Sequence, residues 1–171
     1  MNVMIYIYNC FAGTHSSVLA ASCHLNKLPK DRIPTRDEIL KIELFNKLRH
    51  TDRGKFYYHG EDEEGNKVFT IGRGNSKILV PSLCNFFNLL DEEIHLEERI
   101  IFSTTGYAIP LSMAFGGFTC VRLRMNCIGL PFLMLGTRQC YKNIVKIVEM
   151  TKEVGKNSTN KIEMLEFKCF V

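Results

Sequence analysis

The chain has 171 residues, 46% hydrophobic and 23% charged, with a formal net charge of +4. A domain of this size buries roughly 70% of its unfolded surface, so it folds alone and needs no disulfide or metal staple. The mild positive charge admits an anionic ligand but excludes a nucleic-acid binder of the usual kind, because no Lys/Arg block or basic face with interleaved aromatic residues occurs.

Seven cysteines are present, an odd count with no CxxC pair. That pattern fits reduced thiols in a cytoplasmic protein better than a disulfide framework. The start at Met1 carries no positive n-region or cleavage site. The apolar stretch 109–135 is broken by Arg122, Arg124, Asn126 and Pro131, which makes it a poor membrane span. The expectation is a soluble cytoplasmic protein with no membrane and no nucleic acid among its partners.

In chain order, Val3 to Tyr8 is rich in β-branched and aromatic residues and reads as a buried strand. Val18 to Ser22 is small and apolar and reads as a packed helix. Two prolines, Pro29 and Pro34, restrict the loop that follows. Thr35, with Glu38 three residues on, forms a capping-box pattern opening a helix through about Arg49. Lys55–His59 and Lys67–Ile71 read as a β-hairpin with an acidic tip, Glu61 to Glu64. Gly72 to Ser76 then opens a helix over Lys77–Leu90. Arg99–Ser103 is a further strand, and a helix runs from about Ala108 toward Arg122. Asn126–Leu130 reads as a connector, Pro131–Leu135 as a strand, Gln139–Lys152 as a helix and 155–160 as a polar linker. The segment Lys161–Val171 reads as a terminal strand or appendage.

Three β-loop-α units, at Val3, Ile100 and Phe132, imply an α/β fold. The expectation is a single three-layer domain, 1–154, with a mostly parallel sheet and an added β-hairpin. The linker and C-terminal strand occupy 155–171. In open α/β sheets ligands sit beyond the carboxyl ends of the strands.

Those ends direct attention to Asn9–Ser17, a small-residue loop between the first strand and the first helix. Unpaired amides and the helix dipole at such a junction favour a bound anion. Cys10 is the candidate nucleophile or phosphate carrier, and His15 the candidate proton donor or acceptor. Asn9, Gly13, Thr14, Ser16 and Ser17 are candidate ligand contacts. Arg73 and Arg138 are candidate charge partners, since guanidinium matches phosphate or carboxylate bidentately, and Thr104 and Thr137 stand at further strand ends. A Walker A loop is not present: His15 stands where its lysine would be, and its first glycine is absent. A cysteine-phosphatase loop fares no better, with Ser16 in place of its arginine. No metal or other cofactor is expected: Cys23-His24 lacks zinc spacing, and the acidic tip lacks calcium-loop spacing and reads as a solvated turn. The competing function is a non-catalytic interaction or regulatory module, with the loop as a packing device and the acidic hairpin as a contact surface for a protein partner.

Two resemblances add to this reading. Cys10-Phe11-Ala12-Gly13-Thr14-His15-Ser16-Ser17 resembles the phosphocysteine loop of phosphotransferase-system enzyme IIB proteins of the lactose/cellobiose type. That likeness, confined to about the first 20 residues, implies a phosphate held by loop amides beside Cys10 as carrier. More widely, the blocks YNCFAGTHSSVLAASCHLNKLP, GEDEEGNKVFTIGRGN and PFLMLGTRQCYKNIVKIVE resemble a domain-of-unknown-function family from endospore-forming, low-GC Gram-positive bacteria. This implies a bacterial cytoplasmic protein linked to sporulation and carries no known activity.

Overall fold

The apolar run near the start forms the central strand, β1 (Met4–Cys10), of a computed structural model that describes residues 3–167. On one side β1 pairs in parallel with β3 (Lys67–Gly72), and on the other with β4 (Arg99–Thr104). β2 (Phe56–Glu61) pairs antiparallel with β3, and β5 (Ile162–Glu166) pairs in parallel with β4. The order is β2-β3-β1-β4-β5. The fold is therefore α/β, mostly parallel with one antiparallel hairpin, as the sequence implies. The C-terminal strand is the fifth member of the sheet. Residues 168–171, including Cys169, lie outside the described residues.

Strand alternation sorts side chains to two faces. Tyr6 and Tyr8 of β1, with Val68 and Ile101, pack against α1 (Ser16–His24) and α5 (Asn126–Asn157). Ile7, Ile71, Ile100 and Phe102 point the other way, under α3 (Leu79–Ile94). The capping box at Thr35 is present, with Thr35 Oγ1 accepting from the Glu38 amide and the Glu38 carboxylate from the Thr35 amide.

The structure corrects three expectations. The helix begun at Thr35 is only α2 (Arg36–Lys41) and does not reach Arg49. Its continuation folds into turns because Thr14 captures them: its hydroxyl donates to the Leu44 carbonyl and accepts from the amides of Lys47 and Leu48. The polar linker at 155–160 is shorter, because α5 continues to Asn157.

The third correction is the largest. Pro131–Leu135 is not a strand, and Asn126–Leu130 is not a connector; both lie within the 32-residue helix α5. Its buried positions, Gly129, Leu133, Gly136, Thr137, Cys140, Tyr141, Ile144, follow the helical period. Small residues let this helix lie against α4 (Leu111–Val121). A Cβ at Gly116 would sit 2.6 Å from the Leu133 nitrogen, and one at Gly136 2.5 Å from the Met113 nitrogen. Pro131 is exposed in the second turn of α5, where its missing N–H costs one helical bond.

Candidate functional site

The loop after β1 is held from both sides. Register sets Cys10 beside Gly72 and Asn9 beside Thr104, so the carboxyl ends of β1, β3 and β4 lie together. The Arg73 amide donates to the Cys10 carbonyl at 2.9 Å, and the Gly74 amide to the Phe11 carbonyl at 2.9 Å. The chain then reverses at Gly13, whose φ of +74° is open to glycine at little cost. That reversal lets the Gly13 amide donate back to Cys10 Sγ at 3.1 Å, with Ser17 Oγ also 3.1 Å from the sulfur. Cys10 is 1% exposed.

Most polar groups predicted to face an anion are spent inside the protein. Asn9 Nδ2 donates to Thr104 Oγ1 at 3.1 Å, and Thr105 Oγ1 donates to the Asn9 carbonyl at 3.1 Å. Ser16 Oγ lies 2.9 Å from Thr105 Oγ1. Thr14 holds residues 44–48, and Gly13, Thr14, Ser16 and Ser17 are all buried. The hydroxyls around the start of α1 are thus buried and bonded to other parts of the chain rather than open to solvent.

What does open beside the loop is a cleft of about 510 Å³. One wall is Cys10, Phe11, Ala12 and His15; the other is the segment from Ile109 through Met113, Gly117 and Phe118 to Arg122. The lining is mostly apolar, with Arg53 and Arg122 as its two cations. The Arg53 guanidinium stacks 4.3 Å from the centroid of the Phe11 ring. Its Nε is buried and has no hydrogen-bond partner among the described residues. This combination of apolar walls and few placed polar groups is typical of small-molecule sites.

His15 is neutral in this setting. Burial pushes its pKa down to about 4, against the opposing effect of Asn46. Its Nε2 lies 3.2 Å from Asn46 Oδ1, while Asn46 Nδ2 donates to Asn126 Oδ1 at 3.5 Å. That arrangement assigns the ring proton to Nε2 and leaves Nδ1 as an acceptor beside Gly117.

A second polar chain lies deeper. Tyr8 donates its hydroxyl to His24 Nδ1 at 2.7 Å, and His24 Nε2 donates to Asp62 Oδ2 at 3.0 Å. Burial pushes His24 down to about 4, so the imidazole is neutral between a donor and a carboxylate. Asp62 also accepts from the amides of Glu64 and Asn66. The acidic tip, read as a solvated turn, is therefore anchored through Asp62, while Glu63 and Glu64 remain exposed. Among the described residues no group of three His, Cys, Asp or Glu side chains is placed to hold a metal ion.

The structure brings Cys10 and His15 to the cleft and sets Asn9, Gly13, Thr14, Ser16, Ser17 and Thr104 behind it. Arg73 follows β3, with its Nη1 donating to the Ser76 carbonyl at 3.4 Å, and does not line the cleft. Thr137 and Arg138 are not at a strand end. Thr137 sits inside α5, its hydroxyl donating to the Leu133 carbonyl at 2.8 Å. Arg138 is exposed beside Pro34 and Pro131 in a separate depression. Sequence reading missed Phe11, Arg53 and the α4 wall. The hint available was Gly116-Gly117 in an apolar segment, which marks a close approach.

No helix among the described residues is long and apolar enough to cross a membrane. Comparison with curated proteins and with solved structures gave no match for this chain. One family model does match, over residues 5–153, which takes in β1 through most of α5: the chain belongs to the family described as "Protein of unknown function (DUF3189)".

Proposed function

We propose that this protein binds a small ligand with an apolar body and an anionic group in the cleft between the Cys10–Ser17 loop and α4. The observation that carries the reading is Arg53. A guanidinium held over Phe11, with a buried Nε lacking a partner among the described residues, sits in a mostly apolar cleft. An unsatisfied buried donor is costly, and a carboxylate or phosphate oxygen would satisfy it. Arg122 supplies a second positive charge from the opposite wall. The cleft volume falls within the usual range for small-molecule sites.

This reading keeps the anionic ligand that the sequence suggests but moves it from the helix start to the cleft. A covalent phosphoryl-carrying role for Cys10 is a stronger claim. It requires the sulfur, now held by Gly13 and Ser17, to be uncovered.

The test is thermal unfolding with 1-naphthyl phosphate, 1-naphthol and inorganic phosphate. At about 100 times its dissociation constant a ligand adds about 2.7 kcal/mol. The expected result is a raised midpoint with naphthyl phosphate, a weaker one with either fragment, and loss of the shift in Arg53→Ala. Equal shifts in wild type and Arg53→Ala, or none with any compound, would overturn the reading.

A further inference from the structure

The outer face of α4 and α5 is apolar and unpartnered among the described residues. On α4, Leu111, Phe115 and Phe118 stand at i, i+4 and i+7 and point outward, with Leu111 89% exposed. On α5, Ile128, Phe132 and Leu135 repeat the same spacing and are also exposed. The stripes join where Phe115 and Phe132 meet edge to face, 4.9 Å between centroids. Leu123 and Met125 extend the face around the turn between the helices, and both are exposed. A contiguous surface of this kind marks an interaction site.

Charge says what it fits. No Asp or Glu occurs anywhere from residue 99 to residue 148. The charged groups in the turn at one end of the apolar stripes are cations. Arg122 and Arg124 flank Leu123 in the turn, both exposed. Past Leu135 the same helical stripe of α5 continues as Gln139, Lys142 and Lys146, all exposed, and the two lysines share a depression with Lys30, Arg32, Asp31 and Glu149. An apolar band with aromatic rings, with arginines in its turn and no carboxylate in its own stretch of sequence, has the chemistry of an interfacial segment on anionic lipid. A two-fold dimer through this face would offer the arginines of the turn no carboxylate from the same 99–148 stretch of the copy.

We propose that the α4–α5 hairpin docks on an anionic lipid bilayer surface, with its apolar stripes inserted at the headgroup boundary and Arg124 of the turn against lipid phosphates. α4 has 11 residues, about 16 Å of helix, a length suited to lying flat at the surface. The competing occupant is a second copy in head-to-tail contact. The exposed Phe86, Leu89 and Ile94 of α3 lie near Asp91, Glu92 and Glu93 on the other side of the sheet.

The test is co-sedimentation of the full chain with vesicles of phosphatidylcholine alone and of phosphatidylcholine mixed with phosphatidylglycerol, at low and high salt. Sedimentation velocity without lipid is run in parallel. The variants are Arg124→Gln and Leu123→Ser, outside the cleft lining and at exposed positions where folding is not at stake; circular dichroism verifies their fold. The expected result is binding to the mixed vesicles that high salt weakens. Arg124→Gln lowers the affinity about five-fold, as loss of one basic residue near an anionic surface should. Leu123→Ser lowers it further. No vesicle binding, binding unchanged in both variants, or concentration-dependent polymers that both variants abolish would overturn the proposal. Because neither variant touches the cleft, the naphthyl phosphate response stays intact in both whichever way the vesicle experiment falls.

Discussion

Gly13 and Gly72 lie backbone against backbone. A Cβ at Gly13 would fall 2.6 Å from the Gly72 nitrogen, and one at Gly72 would fall 2.7 Å from the Ala12 carbonyl oxygen. Neither neighbour is a flexible side chain, so neither overlap relaxes cheaply. Gly13→Ala and Gly72→Ala are therefore expected to lose about 2 kcal/mol or more of unfolding free energy. Gly54→Ala is the control: its φ is +80° but nothing lies within 4 Å of the added carbon. It should lose only about 1 kcal/mol, the cost of the left-handed conformation. Urea unfolding of the three variants separates overlap from backbone strain.

Thr14 is the fastening of the 42–48 segment. Its hydroxyl serves one carbonyl and two amides, and its own carbonyl accepts from the Asn46 amide. Thr14→Val keeps the volume and leaves three backbone groups without that partner. The expected loss is about 2–3 kcal/mol, with faster proteolysis near Lys47 or Arg49. Unchanged proteolysis would show that the turns hold without Thr14.

Stability should fall on acidification through the buried histidines. His15 and His24 titrate at about 4 in the folded chain, whereas an unfolded chain protonates them near pH 6.5. Between those values the unfolded state binds more protons, so the stability that the neutral histidines confer above about pH 6.5 is lost as pH drops toward 4. His24 alone accounts for up to about 3 kcal/mol of this loss. His24→Gln, measured by urea unfolding at several pH values, should flatten the slope. An unchanged slope would exclude His24 as a source.

Pro131 distinguishes a continuous α5 from a strand followed by a helix. In the helix its ring leaves the Cys127 carbonyl without its i+4 donor. Pro131→Ala restores that bond and improves helix propensity, while the more flexible unfolded chain gives back part of the gain. The net expectation is about 1–2 kcal/mol of added stability and slightly more helix by circular dichroism. A destabilised variant would argue against helix at this position.

Several features were legible without the structure because they are local. Alternation and β-branching located the strands at Val3, Lys67 and Arg99. The Thr35–Glu38 box located a helix start, since both partners lie within one turn. The segment Pro131–Leu135 was misread because a short apolar run does not distinguish a strand from helix packed on helix. Its deciding partners, Gly116 and Met113 across the α4–α5 contact, are remote in sequence. Arg53 gave no signal either, because its role comes from Phe11, which is distant in the chain.

By itself the sequence determined the α/β class, the strand-loop-helix at Cys10–Ser17 and the carboxylate-free stretch from 99 to 148, because propensity, capping and charge are properties of neighbouring residues. Tertiary structure alone decided that the hydroxyls of Thr14, Ser16 and Ser17 turn inward, that Arg53 and α4 complete a cleft, and that two apolar stripes form one face. Those outcomes depend on which distant groups satisfy each polar atom and cover each apolar one, and that pairing exists only once the chain has closed on itself.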